Sequence, residues 1–565
     1  MQMKMTTKVK VLLALVVVLM PFFLITNVRL LVRPAANFYA RTTELCAVLA
    51  PAPRKAEVAA RARGIREAAA WCAEHPGRAL GGWLTTWAPD YPEVRNAWLM
   101  ANLAGLFLVA VLAGGVAYRR HTNPFWRIQQ KIREEQNPYA GSYVRQFIDS
   151  WREEKGLAGL KEHPAGGTWI GVEIRNGRPV VITDQDANQH VFLVGTTGSG
   201  KTTTLMNFVE SALQRGLPCI VIDGKGDPDL AGRIRSLAER HGRPFRLFAM
   251  RGDSCLYNPL AHGGITELTD KLLYLTEWSE PHYEALARRY LQAAFRVLKA
   301  TGTQLDLHAL TRHLDPDALA ALARKMADDA EREAVFGVLS LAKTEELKGL
   351  IARLALLAES EIGHLFAAAE GKTLDLAAVI NHGAAAVFSL NSLAFPEYSR
   401  LLGRLVIADL KTVADRQHGS KIIYTIFDEF SVFASRAVVD LISKARSKGF
   451  HTIIATQSLA DIEAAAGQAV VRQILGNCST LIIQRQRQHQ DAEALASEVG
   501  TRKSMEMTYQ VATGMLKDQT GYGSVREVRE YIVHPDVIKN MLTGDAVLAQ
   551  PRRVRYIRVR KPGER

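Results

Sequence analysis

The sequence predicts an α/β fold in which an open, mostly parallel sheet is covered by helices and interrupted by an inserted all-α domain. Short apolar runs alternate with helical periodicity, which is the pattern of parallel strands buried on both faces. Residues 265–377 show helical periodicity with no convincing strand, and they form the predicted insertion. Two apolar segments nearer the N-terminus are predicted to be transmembrane helices that precede the α/β domain.

The predicted spans cover residues 9–32 and 97–118. The second contains no charged residue and is followed at once by Arg119 and Arg120, the signature of a cytoplasmic flank. The first has a basic start and a shorter apolar run, so a cleaved signal peptide is an alternative interpretation. Both interpretations place the loop 33–96 in the periplasm and the rest of the chain in the cytoplasm. An uncleaved first span is favoured because the apolar stretch runs past the usual length of a signal peptide, and it predicts a multi-pass protein of the bacterial inner membrane.

Length and composition limit the possibilities further. A chain of 565 residues is too long for one hydrophobic core, so at least two globular parts are expected. The net charge of +14 favours a polyanionic partner, either nucleic acid or an anionic membrane face, although inner-membrane proteins also carry extra Lys and Arg on cytoplasmic segments. None of the five cysteines forms a CxxC pair, which argues against a structural zinc site. Cys46 and Cys72 lie in the predicted periplasmic loop, where they either form a disulfide or stay unpaired.

These observations divide the chain into four predicted regions. A membrane anchor, 1–120, is followed by a juxtamembrane linker, 121–165, which is either a helix at the membrane surface or an ordinary solvated helix. A nucleotide-binding domain comprises 166–264 and 378–565, and the all-α domain, 265–377, is inserted within it.

Strands are predicted wherever a short β-rich run is bounded by turn residues. The first two, 168–174 and 180–183, flank Asn176 and Gly177, which together are a hairpin turn signal. The remaining predicted strands are 191–194, 219–222, 385–390, 422–427, 451–455, 480–483 and 554–560.

A phosphate-binding loop follows the strand 191–194. Residues 195–202 read GTTGSGKT and lead into a predicted helix, which is the strand–loop–helix context that the motif G-x4-G-K-[ST] requires. Backbone N–H groups of such a loop surround the phosphates of ATP, while Lys201 reaches the β- and γ-phosphates and Thr202 binds Mg²⁺. The predicted cofactor-binding residues are Gly195, Thr196, Thr197, Gly198, Ser199, Gly200, Lys201, Thr202 and Thr203.

Two further strand ends carry polar side chains suited to ATP hydrolysis. The apolar strand 422–427 ends in Asp428 and Glu429, predicted to anchor the Mg²⁺ shell and to polarise the attacking water respectively. The strand 451–455 leads to Gln457, which alone is a weaker signal for a γ-phosphate sensor. The chain contains neither the NKxD motif of GTPases nor the LSGGQ signature of transporter ATPases, so these two classes are disfavoured.

Taken in order, these motifs resemble the coupling proteins of type IV secretion and conjugation systems, the TraD/TrwB type. The resemblance runs from the first predicted span to about Val559. The segments that carry it are 195–202, 221–227 (VIDGKGD), 257–260 (YNPL), 427–430 (FDEF), 455–459 (ATQSL) and 521–524 (GYGS).

The resemblance implies a RecA-like P-loop ATPase that assembles as a homohexamer at the inner membrane. It also implies docking of a relaxase–DNA complex (the relaxosome) or protein effectors at a type IV secretion channel. Non-specific DNA binding is predicted from the surplus positive charge, which includes arginines near the C-terminus at 552, 553, 555, 558 and 560, although these side chains could also simply face water. By position, Arg446 matches the arginine that reaches a neighbouring subunit's ATP site, and Gln457 matches the γ-phosphate sensor. We expect Arg446 to emerge on the edge of the sheet that carries Asp428. The alternatives are a chromosome translocase-like DNA pump and an effector-protein receptor gated by ATP.

Overall fold

The computed structural model describes two compact units, Met1–Ile132 and Arg133–Arg565. The residues that it describes are 33–49, 52–75, 103, 105–107, 110–111, 113–115, 139, 143–159, 162–275, 281–341, 344–367, 372–416, 421–511 and 519–563.

In the first unit, two helices fill part of the predicted periplasmic loop. They are α1 (Arg33–Leu49) and α2 (Ala52–Glu74), which pack against each other and bury mainly alanine side chains. Small side chains let two helices approach closely, and Arg66 adds an ion pair to Glu44 at 2.7 Å. The thiol of Cys46 is free and exposed.

The predicted spans fall almost entirely on residues that the structure does not describe. The first, 9–32, lies wholly outside them, and of the second, 97–118, only scattered positions are described. Among the described residues, no helix combines the length and the apolar character needed to cross a membrane.

In its described residues, the second unit is built on an eleven-stranded mixed sheet and a separate two-stranded ribbon. The strands are β1 (Gly167–Glu173), β2 (Pro179–Thr183), β3 (Val191–Val194), β4 (Cys219–Asp223), β5 (Phe245–Ala249), β6 (Ala385–Ser389), β7 (Ile423–Asp428), β8 (Phe450–Thr456), β9 (Thr480–Ile483), β10 (Thr501–Val511), β11 (Gln519–Tyr531), β12 (Asp545–Gln550) and β13 (Arg553–Val559). The sheet has the strand order β2-β1-β13-β12-β9-β3-β8-β7-β4-β6-β5, and β10 and β11 form the ribbon.

Helices connect these strands, and a run of them is inserted between β5 and β6. Three short 3-10 helices, Gly363–Phe366, Phe430–Phe433 and Arg446–Lys448, also occur among the described residues. The α-helices are α3 (Tyr143–Gly159), α4 (Asp184–Ala187), α5 (Lys201–Gln214), α6 (Pro228–Arg240), α7 (Ile265–Leu273), α8 (Pro281–Ala300), α9 (Leu307–His313), α10 (Pro316–Ala323), α11 (Asp329–Leu341), α12 (Thr344–Ala358), α13 (Leu376–His382), α14 (Pro396–Arg416), α15 (Arg436–Ala445), α16 (Leu459–Ala466), α17 (Gln468–Asn477), α18 (His489–Val499) and α19 (Pro535–Lys539).

The centre of the sheet is parallel and buried on both faces, as predicted. Strands β9, β3, β8, β7, β4, β6 and β5 run in one direction, and β3, β4 and β6 are buried at every position. Beyond β9 the sheet continues through antiparallel pairings of β12, β13, β1 and β2. Because the carboxyl ends of parallel strands meet at one edge, this arrangement brings the predicted site residues within reach of each other.

The inserted helices α7 to α13 share a hydrophobic core with one face of the sheet. Phe192 and Ile220 of the sheet belong to the same buried cluster as Leu291 and Leu354 of the insertion. A buried polar contact reinforces this junction, since the Lys271 ammonium donates to the Asp409 carboxylate at 2.6 Å. The division of the chain into four regions stays a prediction.

Most predicted strands are present within a residue or two of the expected bounds, and the hairpin at Gly177 forms between β1 and β2. Strands β5 and β12 and the ribbon β10–β11 were not predicted. Strand β5 has the short sequence FRLFA, in which an exposed arginine lies between two half-buried residues. The run of apolar residues is therefore too short to predict a strand. In the ribbon, the side chains that are described are exposed or half-buried, and most of them are polar. The sequence there lacks the alternation of apolar and polar residues that predicts a strand.

Candidate nucleotide site

The phosphate loop leaves the sheet at the carboxyl end of its central strand, β3. Gly198 and Gly200 have φ of +75° and +109°, values that L side chains rarely adopt, and the position where a Cβ would stand on Gly198 is open. Helix α5 starts directly at Lys201 and runs for 14 residues. Its first backbone N–H groups and its positive dipole end therefore lie next to the loop, as a phosphate site requires.

Lys201 is held within the loop, and its Nζ donates to the Gly195 carbonyl oxygen at 2.7 Å. Burial lowers the pKa of Lys201, while the Glu429 and Asp428 carboxylates act in the opposite direction. The structure thus places the predicted phosphate-binding lysine close enough to the predicted carboxylate pair for their charges to interact. Thr202 and Thr203 follow in the first turn of α5, both half-buried.

Asp428 ends β7 beside a second carboxylate that was not predicted. Asp223 is its direct partner on β4, is 1% exposed, and accepts the backbone N–H groups of Lys225 and Asp227 at 2.9 and 2.6 Å. Burial, and then the nearby Asp223 carboxylate, raise the pKa of Asp428 to about 7, although Lys201 opposes the shift. The signal for Asp223 was in the sequence, because a buried apolar strand ends there just as one ends at Asp428.

Gln457 connects the phosphate loop to Glu429. Its side-chain oxygen accepts the Thr197 hydroxyl at 2.8 Å, and its amide Nε2 donates to the Glu429 carboxylate at 2.9 Å. Glu429 itself has φ +52° and ψ +50°, a left-handed conformation that is uncommon outside glycine. Unusual backbone of this kind persists where the surrounding contacts enforce it, and it occurs often at active sites.

The other side of the phosphate loop is supported by residues that follow β9. Gln484 is fully buried, accepts the Ser199 hydroxyl at 3.1 Å and donates to the Thr204 hydroxyl at 2.9 Å. Thr196 donates from both its N–H and its hydroxyl to the Arg485 carbonyl oxygen at 3.0 Å. Gln484 was missed, although it stands at the end of a predicted strand like the other site residues.

The expected position of Arg446 is wrong. It begins the 3-10 helix that precedes β8, and its charge acts on His190, which precedes β3, so it lies at the amino-end edge of the sheet. Asp428 and Gln457 lie at the carboxyl-end edge. Helix α15 carries the chain across the face of the sheet between the two edges, as any helix joining two parallel strands must do. The exposed Arg446 therefore cannot serve the site of its own subunit.

These residues fit a nucleoside triphosphate with Mg²⁺. The loop offers N–H groups and an ammonium to phosphate oxygens, and a hydroxyl (Thr202) and a carboxylate (Asp428) supply the oxygen ligands that Mg²⁺ prefers. Two neighbouring carboxylates, Asp428 and Asp223, are costly to keep charged side by side unless a cation lies close to them.

Comparison with known proteins agrees with this geometry. The family described as "TraM recognition site of TraD and TraG" matches residues 423–543, and the FtsK/SpoIIIE family matches residues 161–226, which include the phosphate loop. The Type 4 coupling protein DotL of Legionella pneumophila is 36% identical over 78 residues. That match covers 14% of this chain and only 10% of DotL.

Solved structures of a conjugative coupling protein share the fold. The unbound monoclinic form of TrwBdeltaN70 superposes with a TM-score of 0.52 at 15% identity, over 72% of this chain and 90% of that one. TrwB in complex with the non-hydrolysable ATP analogue ADPNP gives 0.50 at 14% identity, over 73% and 94%. The resemblance to the type IV coupling proteins is confirmed. At this identity the coupling-protein structures establish an α/β fold of the same kind, and the roles of individual residues stay predictions.

Proposed function

We propose that this protein is an ATPase, and that its hydrolysis of ATP drives transfer through a type IV secretion channel. The observation that carries the proposal is the convergence of Lys201, Asp428, Glu429 and Gln457 at one edge of the sheet, joined by contacts and electrostatic interactions. Strand ends far apart in the sequence are brought together there, as ATP hydrolysis on this type of loop requires.

Each residue has a distinct task in the proposed reaction. The loop N–H groups and Lys201 bind and orient the triphosphate, and Glu429 accepts a proton from the water that attacks the γ-phosphorus. Gln457, which contacts both the loop and Glu429, orients that carboxylate and detects the γ-phosphate. Thr202 and Asp428 would hold Mg²⁺, which would neutralise charge at the phosphate oxygens.

Completion of the site by a neighbouring subunit is part of the proposal. Arg446 is exposed and lies at the opposite edge of the sheet, which suits action on another subunit and excludes action on its own. Guanidinium groups stay protonated and contact two phosphate oxygens at once, so they stabilise the charge that develops on the γ-phosphoryl group. Such action requires a neighbouring subunit, and we propose a homohexameric ring in keeping with the resemblance.

The setting proposed for this motor is the bacterial inner membrane, with two transmembrane helices at 9–32 and 97–118 and the bulk of the chain in the cytoplasm. The partners proposed are non-specifically bound DNA, a relaxase within its relaxosome, and components of the secretion channel. The match of residues 423–543 to the "TraM recognition site" family and the partial match to DotL support this setting.

A second candidate, a chromosome translocase-like DNA pump, is favoured by the match of residues 161–226 to the FtsK/SpoIIIE family. Both candidates predict ATP hydrolysis and sequence-independent DNA binding, so they differ in their partners. Co-purification with relaxase from cells that carry a mobile element favours the coupling protein, and co-purification with chromosomal DNA alone favours the translocase.

The test of the central proposal is phosphate release from MgATP by detergent-solubilised full-length protein, with and without single- and double-stranded DNA. Hydrolysis is expected to rise with DNA and to vanish in Lys201→Ala and Glu429→Gln, while Lys348→Ala, at an exposed position of α12 in the insertion, retains it. Binding to unrelated DNA sequences should be similar and should weaken steeply with salt, because bound DNA releases counterions. A protein that hydrolyses ATP without responding to DNA would point to protein effectors as cargo.

The proposed topology has its own test. A reporter that is active only in the cytoplasm is fused after Arg63, in the helix α2 of the predicted periplasmic loop. It should be silent there and active when fused after Glu162. Strong activity at Arg63 would contradict the periplasmic location of this loop and require a different interpretation of the first apolar segment.

A further inference from the structure

The turn before β12 contacts the phosphate loop from outside the site described above. The backbone N–H of Gly544 donates to the Ser199 carbonyl oxygen at 2.9 Å. Beside it, the Thr543 hydroxyl donates to the Gly198 carbonyl oxygen at 3.1 Å. Gly544 has φ +85°, a conformation that favours glycine and lets the backbone of the turn come this close.

These contacts set the direction of a phosphate-binding group. A peptide unit is planar, so holding the Ser199 carbonyl oxygen also fixes the N–H of Gly200 at the other end of the same unit. That N–H belongs to the part of the loop that surrounds the phosphates in the proposed complex. The position of Gly544 therefore sets the orientation of the Gly200 N–H, one of the proposed donors to the phosphates of ATP.

The turn is fixed in its place by the carboxylate of Asp545. This residue is 1% exposed, and its oxygens accept the Tyr139 hydroxyl at 2.9 Å and the Arg558 Nε at 3.0 Å. The Tyr139 hydroxyl in turn accepts the backbone N–H of Leu542 at 3.3 Å, so one phenol holds the turn at two points. A buried carboxylate that lost these donors would have to move or be left unsatisfied.

The same network reaches helix α3. Arg558 also pairs with Glu153 of α3 at 2.9 Å, and Glu153 is 3% exposed and accepts the backbone N–H of Arg175 at 3.0 Å. Burial raises the pKa of Glu153. Tyr139, Asp545, Arg558 and Glu153 thus form one connected network of hydrogen bonds and ion pairs, so the loss of one member is expected to affect the position of the turn.

We propose that Tyr139 and Asp545 are positioning residues for the phosphate loop, acting through the turn Thr543–Gly544, and that they thereby set the affinity for MgATP. Neither residue contacts the nucleotide; both act on the direction of the Gly200 N–H. The inference rests on the proposed binding of ATP.

The experiment measures the Kd of a fluorescent ATP analogue with Mg²⁺, together with KM and kcat for ATP, on full-length protein in detergent. Tyr139→Phe removes only the hydroxyl, and Thr543→Val removes the direct contact on an exposed residue where folding is not at risk. Each should raise Kd and KM by about two- to tenfold, the effect of losing one hydrogen bond, with kcat changed by less than about twofold. Because both act through one turn, the double variant should raise Kd by less than the product of the two.

The matched control is Tyr531→Phe, which removes a hydroxyl that donates to Glu493 at 3.4 Å, at the base of the ribbon. It should leave Kd unchanged. If Tyr139→Phe lowers the melting temperature and leaves Kd and KM at the values of the unaltered protein, Tyr139 has a merely structural role and the inference fails. If the unaltered protein binds no nucleotide, both the proposed function and this inference fail.

Discussion

Gln457 offers the sharpest test of how the candidate site is arranged. Its amide is the contact between the phosphate loop, at Thr197, and the carboxylate of Glu429. Gln457→Ala removes both hydrogen bonds and leaves the backbone and its neighbours in place. We expect the loss to appear in kcat, because Glu429 would no longer be held in the direction needed to accept a proton.

The size of the effect follows from the bond that is lost. A hydrogen bond to a charged group contributes about 1.5–3 kcal/mol, and each 1.36 kcal/mol corresponds to a tenfold change in rate. The donation from Gln457 to the Glu429 carboxylate at 2.9 Å is such a bond. If its full contribution is made in the transition state, kcat falls by about ten- to a hundred-and-fiftyfold, while KM changes by less than about threefold.

The assay is steady-state phosphate release from MgATP across a range of ATP concentrations. Gln468→Ala is the matched control, since it removes an exposed glutamine whose side-chain oxygen accepts from Arg472 on α17, away from the site. A kcat for Gln457→Ala within twofold of the control would refute the reasoning. A rise in KM at unchanged kcat would assign Gln457 to ATP binding instead.

Further predictions test the remaining features. Mixing Arg446→Ala with Lys201→Ala subunits should partly restore hydrolysis if the arginine acts in trans, and rings shown to be mixed that stay inactive would remove that role. Because the folded-state pKa of Asp428 is raised to about 7, Mg²⁺ affinity should fall as pH decreases through 7. The same shift makes the metal-free folded protein bind one more proton than the unfolded chain between about pH 4 and 7. Its free energy of unfolding should therefore increase as the pH is lowered from about 7 to about 4. Thermal unfolding of Asp428→Asn should lack that contribution. Lys271→Met leaves the Asp409 carboxylate buried without its cation and should cost about 3–5 kcal/mol in denaturant unfolding, part of which Asp409→Asn restores.

The sequence by itself determined the local parts of the site. The phosphate loop is recognisable because its glycines, Lys201 and Thr202 are consecutive and stand between a strand and a helix. Asp428 and Gln457 are recognisable because each follows a buried apolar run, and parallel strands present their carboxyl ends at one edge. These signals depend on neighbours in the chain, so periodicity and motif spacing are sufficient to read them.

Only the tertiary structure decided which strands are neighbours. Asp223 lies beside Asp428 because β4 pairs with β7, and Gln484 supports Ser199 because β9 pairs with β3. Strand order is a property of distant pairings, which hydrophobic periodicity along the chain does not encode. For the same reason the approach of Gly544 to the phosphate loop had no signal in the sequence. Arg446 is a different case, because its edge follows from the order of elements along the chain. It lies just before β8, and a helix that joins two parallel strands returns the chain to the start of the next strand.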